Sequence, residues 1–255
     1  MSREEKQPKV SIVVPVHNGE RYIEETLESI LRQTEQDFEV LLVEDGSTDG
    51  SWELLQKLQA RDARIRSLQN GAPHGACHAR NLGIRLARGH YLAFLDADDL
   101  WLPDKLKKGL ALMQEKGAAF LFTAYEFGDA QAKGTGKIVH VPKTLNYKQA
   151  LPRTIIFTST VMFDLEKLDR DLLYMPQIPS EDTATWWNIL RSGVLAYGLD
   201  EPLVIYRRAG KSLSSNKLEA VRRIWNLYRK HEKMGIIPSL WCFFGWGVRA
   251  VARRL

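Results

Sequence analysis

The chain has 255 residues, 44% of them apolar, and a formal net charge of +5. That composition supports a sizeable core in one large domain or two closely joined lobes and excludes a disordered chain. The segment before Val10 is polar and no apolar run reaches the roughly 20 residues of a membrane span. Cys77 and Cys242 lack disulfide or zinc spacing. A chain that starts in the cytoplasm with two buried or incidental thiols is therefore expected.

From Lys9 onward short apolar runs alternate with amphipathic stretches. The predicted strands are 10–16, 38–44, 65–68 and 91–95, and the predicted helices between them are 20–31, 51–58 and 79–87. Such alternation specifies an α/β fold with a parallel sheet, and the almost wholly apolar strands read as buried on both faces. The first two strands run into turn residues: Pro15, Asn18 and Gly19 after one, Asp45, Gly46, Ser47 and Asp49 after the other. Asp49 reads as the N-cap of the helix that follows. Beyond Pro103 the alternation becomes irregular. Strand-like runs at 118–126, 137–141 and 159–163 are separated by loops containing Gly or Pro, which reads as a second, mixed lobe. Glu181-Asp182 precedes a predicted helix over 184–190, with Ser180 as its expected N-cap.

The positive charge is uneven. Residues 217–255 hold nine Lys/Arg against two Glu, leaving the rest slightly acidic. Residues 216–233 read as a basic amphipathic helix carrying Leu218, Val221, Ile224, Trp225 and Tyr228 at helical spacing. Residues 236–248 are apolar and aromatic, with Trp241, Phe243, Phe244 and Trp246 followed by Arg249, Arg253 and Arg254. This segment is read either as a helix packed on the body or as an interfacial helix against anionic headgroups.

Chemistry concentrates at Asp96-Ala97-Asp98-Asp99, where the fourth strand runs out. Carboxylates this close repel one another and imply a cation. Ligands of open α/β sheets lie beyond the carboxyl ends of the strands, and hard oxygen donors there suit Mg²⁺ or Mn²⁺, ions that bridge phosphates. An Asp-rich turn capping the helix after Pro103 is the alternative.

Taken together, Val14-Pro15-Val16-His17-Asn18-Gly19, Val43-Glu44-Asp45-Gly46-Ser47-Thr48-Asp49, Ala79-Arg80-Asn81-Leu82-Gly83, Asp96-Ala97-Asp98-Asp99 and Glu181-Asp182 occur in the order and spacing of family 2 glycosyltransferases. The resemblance spans about residues 9–215. The segments Thr158-Ser159-Thr160-Val161-Met162, Ala196–Leu203 and Ser212–Lys217 are similar to the branch that builds teichuronic acid and other surface polysaccharides. The resemblance implies a GT-A fold: a Rossmann-like, mostly parallel central sheet flanked by helices, a mixed acceptor lobe and C-terminal helices. It divides the chain into a nucleotide-sugar-binding half (1–104), an acceptor-binding and catalytic half (105–215) and basic amphipathic helices (216–255).

By the same resemblance the enzyme is an inverting, Mn²⁺- or Mg²⁺-dependent transferase that moves one sugar from a nucleotide sugar, UDP-linked by family habit, to a hydroxyl of a polyprenyl-diphosphate-linked or surface glycan. Donor contacts fall to Pro15, Val16, His17, Asp45, Arg80, Asp96, Ala97 and Arg208, and the metal to Asp98. Asp182 is the base, with Glu181 orienting it or touching the acceptor. Several of these residues also admit plainer roles: His17 and Asp45 as turn residues, Arg80 in a salt bridge, and Glu181 and Asp182 as favourable charges at a helix start, while Asp99 is read either as a group supporting the metal ligand from behind or as a helix-terminal charge. His74 and His78 are left as loop or core histidines. The loop around Gly210-Lys211-Ser212 is expected to close over a diphosphate, and the absence of a Gln-x-x-Arg-Trp motif favours single additions. The basic tail predicts contact with the inner face of the membrane; no nucleic-acid partner is expected, and oligomeric state is not legible.

Competing classes lack their signatures. A nucleotidyltransferase would carry a Gly-rich, Lys-containing loop near the N-terminus, which residues 13–22 do not, and a dehydrogenase would show Gly-x-Gly-x-x-Gly after the first strand. A non-catalytic sugar-nucleotide scaffold is opposed by the intact Asp45, Asp96, Asp98 and Asp182.

Overall fold

In the computed structural model, which describes residues 7–208 and 217–252, β-branched and aliphatic runs form the centre of a sheet because both faces are covered. Strands β1 (Val10–Val16) and β2 (Phe38–Glu44) are buried almost throughout and pair in parallel from Val10↔Phe38 to Val16↔Glu44. β3 (Ile65–Gln69) and β4 (Tyr91–Phe94) flank them, also in parallel.

β9 (Met162–Asp164) joins antiparallel to β4, followed by β6 (Phe120–Gly128), β10 (Ala196–Arg207) and β5 (Leu100–Trp101), so that a single ten-stranded sheet in the order β3-β2-β1-β4-β9-β6-β10-β5 crosses the chain. β7 (Gly134–Val139) and β8 (Thr144–Leu145) pair with β6 and β10 off this path. The sheet is parallel where the sequence alternates and mixed beyond Pro103, as expected.

Helices cover the two faces according to the parity of the strand residues. Ile12 and Val14 of β1 pack on the side of α1 (Ile23–Leu31), α2 (Ser51–Arg61) and α4 (Lys105–Lys116). Val13 faces α3 (Ala76–Leu86) and α6 (Glu181–Arg191). Gly83 lets α3 approach closely: a Cβ there would stand 2.3 Å from Val13 Cγ1. Trp186 seats α6 on the sheet, its ring 5.3, 5.8 and 6.4 Å from those of Phe163, Phe120 and Phe94. A short helix, α5 (Tyr147–Ala150), precedes the C-terminal pair α7 (Lys217–Asn226) and α8 (Ile236–Ala252). Trp187 stacks on Tyr228, whose hydroxyl donates to the Leu151 carbonyl at 2.6 Å, tying this end of the chain to α6.

Several boundaries differ from expectation. α1 begins at Ile23 rather than Glu20, and α3 at Ala76, directly after Gly75. Ser159 and Thr160 lie in a 3₁₀ turn (Thr158–Thr160) rather than a strand. The expected helix over 216–233 is α7 followed by a π-helical turn at Leu227–His231. Ser180 holds the N-cap position of α6, as expected, but in a left-handed conformation (φ +62°) and without a cap hydrogen bond from its hydroxyl. Among the described residues no helix is long and apolar enough to cross a membrane. The predicted loop at 210–212 and Arg253 and Arg254 lie outside the described residues.

Lys105, at the start of α4, is fully buried. Its Nζ lacks a hydrogen-bond partner and lies 4.0 Å from the Trp101 ring centroid, and burial lowers its pKa from 10.5 to about 7. An amine that holds its proton more weakly when folded makes the folded state gain stability as pH rises from about 7 towards 10.5. Lys105→Met is expected to remove that rise and to be more stable at pH 7 by about 1–3 kcal/mol, the cost of an unpaired buried polar group. Denaturant titrations of both proteins across this range check it; parallel stability curves would show that the amine carries no such cost.

Candidate active site

The carboxyl ends of β1, β2 and β4 open into a cleft of about 520 Å³. Pro15, Val16, His17, Asp45, Arg80, Asp96, Ala97 and Asp98 all line it, so the structure gathers eight of the residues singled out in the sequence. Tyr22, Pro73, Gly75 and Ala76 line it too, and were not legible as site residues. Arg208 is not among the lining residues. Its exposed guanidinium lies 4.9 Å from the Phe127 ring centroid, and its backbone N–H donates to Gly128.

The floor of the cleft is fixed by Asp45. Its side chain accepts from Asn70 Nδ2 at 2.7 Å, from the His74 N–H at 3.1 Å and from the Gly75 N–H at 2.6 Å. This buried carboxylate therefore organises the loop leading into α3, and only part of its acceptor capacity is left for a base N–H. Gly46, at φ +69°, lets Pro73 close on it: a Cβ would stand 2.4 Å from Pro73 N. His17 is exposed at the mouth. Its Nδ1 donates to the Asp45 carbonyl at 2.9 Å while Asn18 Nδ2 donates to Nε2 at 3.3 Å, one tautomer satisfying both. Asp49 accepts from the Ser51 N–H at 3.0 Å, so it does support the start of α2, although Gly50 holds the cap position.

Arg80 links the cleft to α6. It is 6% exposed and donates to Asp96 Oδ1 at 2.6 Å and to Glu181 Oε1 at 3.0 Å. The salt-bridge reading of Arg80 thus holds, and its lining position keeps it beside any anion in the cleft. Its guanidinium is held charged by Asp96 and Glu181 against the cost of burial. Glu181 is raised in pKa by burial first and by Asp182 second. Asp182 accepts from the Thr183 N–H at 2.6 Å and from the Thr158 hydroxyl at 3.2 Å.

The Asp96–Asp99 turn is held from below. Asp99 is fully buried and accepts from the Ser159 hydroxyl at 2.6 Å and from the Arg207 N–H at 3.0 Å, which corrects its reading as a terminal charge of α4. Ser159 Oγ also accepts from the Asp96 N–H at 3.1 Å. Arg207, 4% exposed, donates through Nε to the Asp98 carbonyl at 2.6 Å, pairs with Glu25 and lies 4.8 Å from the Tyr22 ring centroid. Thr158-Ser159-Thr160 thus connects the Asp96 turn with Asp182, a role that the sequence carried no signal for beyond the motif itself.

Asp98 differs from its neighbours: none of the described side chains hydrogen-bonds its carboxylate, and burial followed by the charge of Asp96 raises its pKa. A hard cation would relieve both. Among the described residues no three His, Cys, Asp or Glu side chains are grouped to hold a metal ion by themselves, so an ion at Asp98 would complete its shell with ligand oxygens, the usual habit of Mg²⁺ at phosphates.

A Rossmann-like sheet with Asp-x-Asp at the end of its fourth strand and an acidic helix start bridged to it defines a GT-A-type transferase. The model for glycosyl transferase family 2 matches residues 11–171, and the chain belongs to that family: it is a glycosyltransferase. The match covers the cleft and ends before α6. The chain is 40% identical over 250 residues, 98% of each chain, to TuaG of Bacillus subtilis (strain 168), a glycosyltransferase named for teichuronic acid biosynthesis. It is 32% identical over 220 residues, 86% of this chain and 85% of the other, to WfaP of Escherichia coli, named a UDP-Glc:alpha-D-GlcNAc-diphosphoundecaprenol beta-1,3-glucosyltransferase. Among solved structures, Staphylococcus aureus TarS with UDP-GlcNAc superposes with TM-score 0.68 at 21% identity over 87% of this chain and 67% of that one. Pyrobaculum calidifontis PcManGT with GDP-Man and Mn²⁺ also gives 0.68, at 19% identity over 97% and 75%. At these identities the likeness is one of fold, and it is that of GT-A glycosyltransferases.

Proposed function

We propose that this glycosyltransferase moves a single sugar, with inversion, from a UDP-sugar to a hydroxyl of a prenyl-diphosphate-linked glycan in surface-polysaccharide synthesis. The observation that carries the reading is the Arg80 bridge, which ties a donor-type cleft at β4 to the acidic start of α6. TuaG and WfaP, similar over most of their length, support the polysaccharide and acceptor classes through their names.

In this reading residues 1–104 bind the donor, 105–215 bind acceptor and supply the base, and 216–255 meet the membrane. Pro15, Val16, His17 and Asp45 contact the nucleoside, Asp96 and Ala97 the ribose and phosphate side, and Arg80 the diphosphate; Arg208, which stands over Phe127 outside the cleft, is left out of this set. Asp98 would hold Mn²⁺ or Mg²⁺, which when bound neutralises charge on the leaving diphosphate. Asp182 takes the proton of the attacking hydroxyl on the face opposite the departing nucleotide, so that the carbon–oxygen bond to the acceptor forms as that to UDP breaks. Glu181, paired to Arg80, orients it.

α8 supports attachment at the inner face of the membrane. Ile237, Trp241, Phe244 and Val248 recur at helical spacing and are 53–82% exposed, while Phe243 and Trp246 pack inward. The test is transfer itself. Purified protein with UDP-sugars and an N-acetylglucosaminyl diphospholipid should yield a product one sugar heavier, of opposite anomeric configuration to the donor by NMR. Retention of configuration, or transfer only to acceptors without diphosphate, would contradict the proposal.

A further inference from the structure

A second cavity, of about 830 Å³, opens between β7, the segment after α5 and the later turns of α8. Lys137, Ile138, His140, Arg153, Ile155 and Arg249 are among the residues that line it, and no carboxylate does. Two of the basic side chains are anchored: Arg249 donates to the Pro152 and Gly245 carbonyls at 3.3 and 3.0 Å, and His140 Nδ1 lies 3.1 Å from Asp200. Lys137 and Arg153 have no side-chain partner among the described residues. Unpaired cations gathered beside isoleucines in a concavity suit an anion with an apolar body, since charge-assisted contacts to phosphate oxygens are strong.

The surroundings say which way such a ligand runs. Arg249 directly follows Val248, the last member of the exposed apolar row on α8. In the other direction, Arg153, Thr154 and Ile155 also line a small cavity that includes Thr183, the neighbour of Asp182, and the chain continues to Thr158, whose hydroxyl reaches Asp182. The cavity thus borders the apolar exposed helix and shares Arg153–Ile155 with the small cavity beside the neighbour of the proposed base. We infer that it binds the diphosphate of the prenyl-diphosphate-linked acceptor, with Lys137 and Arg153 on the phosphates, the prenyl chain leaving along α8 and the sugar directed to Asp182. The inference rests on the acceptor class proposed above. An uncharged glycan would have no use for these cations, and the nucleotide has its own cleft.

The full chain is held with saturating UDP and Mg²⁺ in excess, filling the donor cleft, and binding of farnesyl diphosphate and of inorganic pyrophosphate is measured by calorimetry. Lys137→Ala/Arg153→Ala should weaken farnesyl diphosphate at least tenfold while UDP affinity and Tm stay as in wild type. Trp241→Ser/Phe244→Ser should weaken farnesyl diphosphate and leave pyrophosphate unchanged. Wild-type affinity in Lys137→Ala/Arg153→Ala overturns the inference; if that variant also glycosylates the diphospholipid with an unchanged KM, the acceptor class stands and its site lies elsewhere. If wild type binds UDP but no farnesyl diphosphate, the acceptor class itself has failed, and the inference with it. Equal affinity for pyrophosphate, with no effect of the α8 changes, would reduce the cavity to an inorganic anion site and overturn the assignment of a lipid.

Discussion

Asp182→Asn is expected to lower kcat for sugar transfer by about 10²–10⁴, the range contributed by a positioned general base. UDP affinity should stay within twofold of wild type. The change is nearly isosteric. An amide keeps its oxygen for the Thr183 N–H, and its NH2 group, in the place of Oδ2, can donate to the Thr158 hydroxyl, so α6 should start as before. What is lost, on the proposed mechanism, is the acceptor of the hydroxyl proton. Glu181 cannot substitute, because it is committed to Arg80 at 3.0 Å. Steady-state transfer assays with a parallel UDP titration check this; a variant with wild-type kcat would remove Asp182 from the chemistry, and one that loses UDP binding would move it to the donor site.

Arg80→Met should cost stability as well as activity. It leaves Asp96 and Glu181 facing each other without their shared cation, both only partly exposed. Removing one partner of a buried ion pair costs 3–5 kcal/mol when the remainder is sealed from water; with side chains 25% and 22% exposed, about 3 kcal/mol is expected. For a chain of this size that is a fall in Tm of roughly 6–12 °C.

The pH dependence supplies a signature. Glu181 is already raised by burial and by Asp182, and loss of Arg80 raises it further. A carboxyl that binds its proton more tightly when folded favours the folded state on acidification, so the deficit of the variant should shrink as pH falls from 7 towards 5 and be greatest above the carboxyl range. Thermal unfolding at several pH values measures it. A pH-independent deficit would indicate that the arginine contributes packing alone.

The N-terminal half was legible because its signals are local. Val10–Val16 and Phe38–Glu44 are mostly apolar and buried on both faces, as a covered strand requires, and both strands match their predicted ranges. The carboxylates then follow from topology: residues at the carboxyl ends of adjacent parallel strands must share one edge. The second half was less legible because its strands pair across long separations. β10 contains Gly198 and Pro202 and shifts register against β6 after Leu199 and again after Pro202, so its twelve residues lack the alternation of a strand.

Asp99 and Ser159 show the same limit at the site. Nothing in Asp96-Ala97-Asp98-Asp99 distinguishes the carboxylate left for a cation from the one that anchors the turn, because the difference lies in Ser159 and Arg207, 60 and 108 residues away. Ser180 takes the expected N-cap position, but its left-handed backbone turns the chain into α6 without a cap from its hydroxyl, and it is Asp182 that accepts the Thr183 N–H.

We propose that Asp98 makes the β4 cleft a cation-dependent nucleotide site. This is tested most directly by thermal unfolding of wild type and Asp98→Ala with UDP, GDP, dTDP or CMP, with and without Mn²⁺. A ligand that binds only the folded state raises Tm, by mass action. UDP is expected to raise the Tm of wild type only when Mn²⁺ is present, and Asp98→Ala to fold normally yet show no such rise. Stabilisation by UDP that is equal without the metal, or that survives Asp98→Ala, would contradict the proposal.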